Sequence, residues 1–178
     1  DRGVKLGSVA FNWGGLRAPG KYRLTVRLKG TRFENDWVLW LYPEVVDTET
    51  PREVLVSSSL DEPTRTRLAE GGKVLLLLTD VPNEFPKGSF TPIFWNRFMF
   101  NTQTRQTLGL LCDPKHPAFK HFPTDSHSQW QWEDITSKSR AIVMDALPRE
   151  LRPIVQYIDD WNTNRKLGLV FECRDRKS

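Results

Sequence analysis

The chain has 178 residues, of which 26 are Lys or Arg and 22 are Asp or Glu, so its net charge is +4 with histidine neutral. Because domains commonly hold about 100–200 residues, this length allows one domain, or one domain and part of another. The longest apolar run, residues 74–78, is far shorter than the ~20 residues of a transmembrane helix, so we expect no membrane contact. Two cysteines exclude a disulfide scaffold and a four-thiolate zinc site, and the scattered positive charges predict no nucleic-acid partner.

The first third of the chain predicts β-strands. Polar and apolar residues alternate over residues 21–28, which is typical of a half-buried antiparallel strand. Residues 37–42 predict a second strand that ends at Pro43, and residues 4–11 predict a third, weaker one. Because two or three strands alone are only marginally stable, we expect them to pack on another part of the protein.

The next segment predicts a strand, a helix and a second strand. Residues 52–56 predict a short apolar strand, and Asp61 is a suitable N-cap for a helix that ends near Glu70 before two glycines. Residues 73–78 then predict a strand that is buried on both faces. This order is typical of a βαβ unit with parallel strands.

Four later segments predict further short strands, at residues 108–112, 141–144, 154–158 and 167–173. Between them, residues 116–119 predict a short helix, and residues 129–136 predict a tryptophan-rich turn or short helix. The stretch 79–105 is rich in proline and aromatic residues, and it predicts a long ordered loop or short helix. From about residue 51 onward, the sequence therefore predicts an α/β domain.

Cys112 lies at the end of a predicted buried strand, where the nucleophile of an α/β hydrolase would lie. Such a nucleophile needs a sharp turn, usually with glycine on both sides, and a nearby base. Cys112 has no adjacent glycine, and Pro114 lacks a backbone N–H that an oxyanion hole could use. The sequence favours a small buried residue, and a Cys-dependent hydrolase or amidotransferase-like enzyme is the alternative.

Three histidines follow this strand at intervals of five and six residues: His116, His121 and His127. Two histidines that bind a metal from one helix face are three or four residues apart, so we expect no metal and assign these side chains to capping and loop hydrogen bonds. A metal site formed from loops is the alternative. Three acidic residues could supply the paired carboxylates of a glycosidase: Asp125, Glu133 and Asp134. Their spacing in the sequence does not fix the distance between them. The sequence has no glycine-rich phosphate loop, so no nucleotide cofactor is predicted.

Three tryptophans, Trp95, Trp130 and Trp132, could stack on the faces of sugar rings. Trp130 and Trp132 would point to the same side if this segment were extended. The alternative is that these large side chains fill an irregular core.

Several segments together resemble the accessory region of multidomain family 2 glycoside hydrolases, which are β-galactosidase-like enzymes. The segments are residues 29–43, 94–96, 108–118, 122–132 and 164–169, of which His127–Trp132 is the most specific. The resemblance implies that residues 1–46 are strands from the end of a β-sandwich. It further implies that residues 47–178 form a flavodoxin-like or class I glutamine amidotransferase-like domain, a three-layer fold with a parallel sheet.

The resemblance also implies a non-catalytic role. The two catalytic glutamates of such enzymes lie in a barrel that this sequence does not contain, so no residue here inherits their function. The expected partners are the barrel and sandwich domains of the parent enzyme, with weak glycan contact through Trp95, His127, Trp130 and Trp132, and with a homodimer also allowed. The resemblance alone implies a periplasmic or secreted protein, and no cofactor is expected.

Overall fold

The computed structural model describes residues 3–5, 7–89, 107–160 and 163–174. The chain divides into two compact units, Asp1–Val45 and Val46–Ser178. Within the described ranges, none of the helices has the length and apolar character that a membrane span requires.

The first unit contains an antiparallel hairpin of β1 (Gly20–Arg27) and β2 (Glu34–Leu41). This confirms the two strands expected at residues 21–28 and 37–42, but the face of β1 that was expected to be buried leaves Leu24 and Val26 about half exposed. The connecting turn places Gly30 at a φ of 79°, a conformation that glycine adopts without steric cost. The third strand expected at residues 4–11 is not formed at the described residues 3–5 and 7–11.

The second unit begins with β3 (Val54–Ser57), α1 (Glu62–Ala69) and β4 (Lys73–Leu76), and the two strands are parallel. The predicted βαβ unit is therefore confirmed. Asp61 caps the helix by accepting a hydrogen bond from the backbone N–H of Thr64 at 3.0 Å, and the Thr64 hydroxyl donates to Ser57 Oγ at 2.8 Å. One face of the strand pair differs from the prediction, because Leu75 is about half exposed rather than buried.

The rest of the second unit is built on four antiparallel strands in the order β5-β7-β8-β6. Their bounds are β5 (Gly109–Cys112), β6 (Ile142–Val143), β7 (Pro153–Ile158) and β8 (Leu167–Phe171). Three residues in one row across β5, β7 and β8, namely Leu110, Tyr157 and Leu167, are fully buried and form the centre of the core. A 3-10 helix at Trp130–Trp132 leads directly into α2 (Glu133–Ser137).

The predicted flavodoxin-like three-layer parallel sheet is wrong. The described residues form mostly antiparallel sheets with two short helices, and the only parallel pairing among them is the separate two-stranded sheet of β3 and β4. A parallel connection needs a crossover of about a dozen residues or more, whereas residues 159–166 alone join β7 to β8. This short connection makes an antiparallel pair of β7 and β8.

A buried ion pair holds the connection between β7 and β8. The Asp159 side chain, only 2% exposed, accepts hydrogen bonds from Arg165 Nε at 2.9 Å, from the Arg165 backbone N–H at 2.8 Å and from the Thr163 hydroxyl at 2.8 Å. Burial raises the pKa of Asp159, but the hydrogen bonds from Arg165 and Thr163 outweigh it and lower the pKa to about 2. The carboxylate is therefore ionised and fixed in the folded protein at neutral pH.

Gly88 lies against the buried end of Tyr157. The Gly88 N–H donates to the Ser139 carbonyl at 2.9 Å, and Ser139 Oγ lies 2.5 Å from the Tyr157 hydroxyl. A Cβ at position 88 would clash with the Thr136 carbonyl oxygen and lie 2.5 Å from the Tyr157 hydroxyl. The close approach of the backbone to these groups therefore requires glycine.

Candidate glycan-contact site

Trp132 anchors the turn that carries the candidate site in the hydrophobic core. Its ring is 3% exposed and packs edge-on against Phe122, at 4.9 Å between centroids, and against Phe119 at 6.0 Å. Its indole N–H donates to Thr124 Oγ1 at 2.7 Å, and the Gln131 amide donates to the same oxygen at 3.3 Å. The polar edge of the indole is thus satisfied inside the core, as a buried tryptophan requires.

The segment before Trp132 is joined to the edge of the four-stranded sheet. His127 forms an antiparallel bridge with Leu111 of β5, and the Cys112 N–H donates to the Ser126 carbonyl at 3.0 Å. Gln129 is extended, and its carbonyl accepts from the Trp132 N–H at 3.0 Å, which closes the 3-10 turn. These backbone bonds position the turn that presents Trp130.

Trp130 projects from this turn into solvent, with 79% of its surface exposed. The exposed His127 lies nearby in the chain, and its Nε2 is 3.3 Å from Nε2 of Gln129. This is a hydrogen bond in the tautomer in which the imidazole nitrogen accepts. Trp130 therefore offers an open aromatic surface that directly follows these polar residues in the chain, on a turn whose backbone is hydrogen-bonded to the sheet edge.

The structure describes three of the four residues that the sequence predicts for glycan contact, and it buries one of them. His127 and Trp130 are exposed, and Trp132 is a core residue whose ring faces are covered by protein. Trp95 lies outside the described residues. The candidate site therefore rests on His127 and Trp130, with Gln129 as a further polar group that sequence reasoning did not select.

Cys112 has the surroundings of a structural thiol. Burial raises its pKa, and the carboxylates of Asp113 and Asp125 raise it further, although a hydrogen bond involving Thr124 acts in the opposite direction. Its Sγ donates to the Asp125 carbonyl at 3.3 Å. An activated nucleophile needs a lowered pKa, so this environment disfavours the Cys-dependent enzyme.

The three histidines do not gather at one point of the described structure. His116 caps a 3-10 helix, because its Nδ1 accepts from the Ala118 N–H at 3.2 Å. Among the residues that the structure describes, no three His, Cys, Asp or Glu side chains are grouped so that they could hold a metal ion.

Each unit also exposes an apolar strip. On the hairpin, Leu24 of β1 pairs with Trp37 of β2, and both are about half exposed, as is Val26 on the same face. In the second unit, Val56 and Leu75 are paired neighbours of β3 and β4 and are similarly exposed. Exposed apolar strips of this kind are typical of surfaces that contact other proteins.

The comparisons with known proteins give two family matches. The family described as Domain of unknown function (DUF8487) matches residues 55–178, which include the four-stranded sheet and Trp130. The family described as Domain of unknown function (DUF8488) matches residues 1–43, which include the hairpin. A search of curated proteins finds none that matches the sequence.

Proposed function

We propose that this chain, which belongs to the family described as Domain of unknown function (DUF8487), is a non-catalytic accessory module of a carbohydrate-degrading enzyme. In this proposal the module itself contacts glycans, through Trp130 and His127. The parent enzyme in this proposal is the family 2 glycoside hydrolase that the sequence resembles. Its barrel and sandwich domains are the proposed protein partners, and the proposed location is the periplasm or the exterior of the cell.

The observation that carries the glycan contact is the exposure of Trp130. A fully buried tryptophan removes roughly 150–250 Å² from water, so an indole that remains open keeps a large apolar surface available for a ligand. The apolar C–H face of a pyranose ring can cover it, while the His127 imidazole and the Gln129 amide exchange hydrogen bonds with ring hydroxyls. One aromatic surface of this size supports weak binding, which suits an accessory contact.

The proposed structural role is supported by the two faces of the hairpin rather than by Trp130. The hairpin has a charged face, where Arg23 and Asp36 form an ion pair at 3.3 Å, and an apolar face that carries Leu24 and Trp37. A two-stranded hairpin is only marginally stable alone. Contact of this apolar face with a neighbouring domain would stabilise both, which is the expected work of a buttressing module.

The test of the glycan contact is a titration of the whole chain with neutral galacto-oligosaccharides, followed by tryptophan fluorescence and by the indole N–H signals in NMR spectra. We expect saturable changes with a dissociation constant in the millimolar range, which Trp130→Ala abolishes. Trp13→Ala is the matched control, because Trp13 is a partly exposed tryptophan of the first unit. Changes that persist unaltered in Trp130→Ala would contradict the proposal.

The second test concerns the parent enzyme. We expect the chain alone not to hydrolyse a panel of nitrophenyl glycosides that the full-length parent hydrolyses. Turnover by the chain alone would overturn the non-catalytic assignment, and Asp125, Glu133 and Asp134 would then be the carboxylates to replace.

A further inference from the structure

Two carboxylates follow Trp130 at helical spacing. The backbone N–H of Glu133 donates to the Trp130 carbonyl, so the 3-10 turn continues directly into α2. Side chains three residues apart are eclipsed in a 3-10 helix, and those three or four apart share a face of an α-helix. Glu133 and Asp134, both exposed, therefore lie on the side of the helix on which Trp130 projects.

The two carboxylates differ in their charge environment. Asp134 forms an ion pair with Lys138 one turn later, at 2.5 Å. The Glu133 side chain forms no ion pair or hydrogen bond with the part of the chain that the structure describes, so its charge is not compensated locally. In low salt the electrostatic interaction of such a charge extends over ~10 Å or more, and this range includes a ligand stacked on Trp130.

Resting on the proposed glycan contact, we infer that Glu133 makes this surface selective for neutral sugars over sugars that carry a carboxylate or sulfate. A neutral sugar can donate a hydroxyl hydrogen to the Glu133 carboxylate while its ring covers the indole. A uronate ring in the same position brings a second negative charge to Glu133. At about 5 Å in water, repulsion between two unit charges corresponds to about a fourfold loss of affinity.

The experiment compares two ligands that differ in one group: galacto-oligosaccharides and oligogalacturonides of the same length, whose rings are oxidised to the carboxylate at C6. The binding of each is measured on the whole chain by NMR and fluorescence at about 20 mM and 500 mM salt. We expect at least a fourfold preference for the neutral ligand in low salt, and a preference near twofold or less in high salt, because salt screens the repulsion.

Two variants separate the charge of Glu133 from its shape. Glu133→Gln keeps the size and the hydrogen-bonding capacity, and we expect it to reduce the preference to less than twofold in low salt. Glu70→Gln, at the exposed C-cap of α1, removes the same charge from another element and should leave the preference unchanged.

The outcomes distinguish the inference from the proposed function. If neither ligand binds, or if binding does not require Trp130, then the proposed function and the inference both fail. If Trp130→Ala abolishes binding but the two ligands bind equally well, or Glu133→Gln leaves the preference intact, only the selectivity inference is overturned.

Discussion

The hydrogen bond between the Trp132 indole and the Thr124 hydroxyl gives the sharpest test of the packing beneath the candidate site. Thr124→Val keeps the shape of the side chain and removes the oxygen that accepts from Trp132 Nε1 at 2.7 Å. The indole N–H then remains in the core without a partner, and a buried donor left unsatisfied costs about 1–3 kcal/mol. The same oxygen also accepts from Gln131 and donates to the Asp125 carbonyl, so we expect a loss near the middle of this range, about 2 kcal/mol.

The assay is thermal unfolding followed by near-ultraviolet circular dichroism, which reports on the packing of tryptophan. For a unit of this size, about 2 kcal/mol corresponds to a decrease in Tm of roughly 6–10 °C. Thr124→Ser is the matched control, because it keeps the hydroxyl and loses one methyl group, which is worth about 1 kcal/mol. If Thr124→Val were as stable as the wild type, or more stable than Thr124→Ser, the oxygen would not be the acceptor on which Trp132 depends.

Three further predictions concern other parts of the second unit. The pKa of Asp159 is lowered to about 2 in the folded protein, so the ionised side chain contributes about 2 kcal/mol to the free energy of unfolding. This contribution is complete above pH ~4 and is lost as the pH falls toward 2. Asp159→Asn should lower the urea midpoint at pH 7 and flatten its decline between pH 4 and pH 2, and an unchanged pH profile would contradict the ion pair. Gly88→Ala should cost about 1–3 kcal/mol by overpacking, measured by urea unfolding, whereas Gly15→Ala, whose Cβ meets open space, should be close to neutral. Alkylation at pH 7 followed by mass spectrometry should modify the exposed Cys173 before Cys112, and faster labelling of Cys112 would revive the enzyme alternative.

The sequence predicts well those elements whose signals are local. Alternation over β1 identifies the hairpin strand, because every second side chain of a strand faces the same way, although Leu24 and Val26 on the apolar face are about half exposed. Asp61 at the start of α1 and Gly71 after it mark the helix ends, and Gly71 indeed has a φ of 77°. Each of these features depends on residues that are close together in the sequence, so it can be recognised without knowledge of the rest of the fold.

The arrangement of the later strands depends on contacts between distant residues. A short apolar run such as residues 109–112 is compatible with a parallel or an antiparallel neighbour, so it predicts a strand without its partner. The resemblance supplied a parallel sheet, but β5 pairs with β7 in antiparallel register, with Leu110 opposite Tyr157. That pairing joins residues far apart in sequence, and no local motif indicates it.

Trp130 and Trp132 show the same limit at the scale of single side chains. Two residues apart in a strand, they would face one side, but a 3-10 helix has three residues per turn, so they point in different directions. Trp132 turns inward because Thr124 and Phe122 provide an acceptor and a packing surface, neither of which can be identified from the sequence around the tryptophans. Packing in the core therefore accounts for the tryptophan at position 132. It does not account for the large apolar ring of Trp130, which lies exposed. The glycan contact proposed above would supply that reason, so the candidate site centres on Trp130 rather than on the pair.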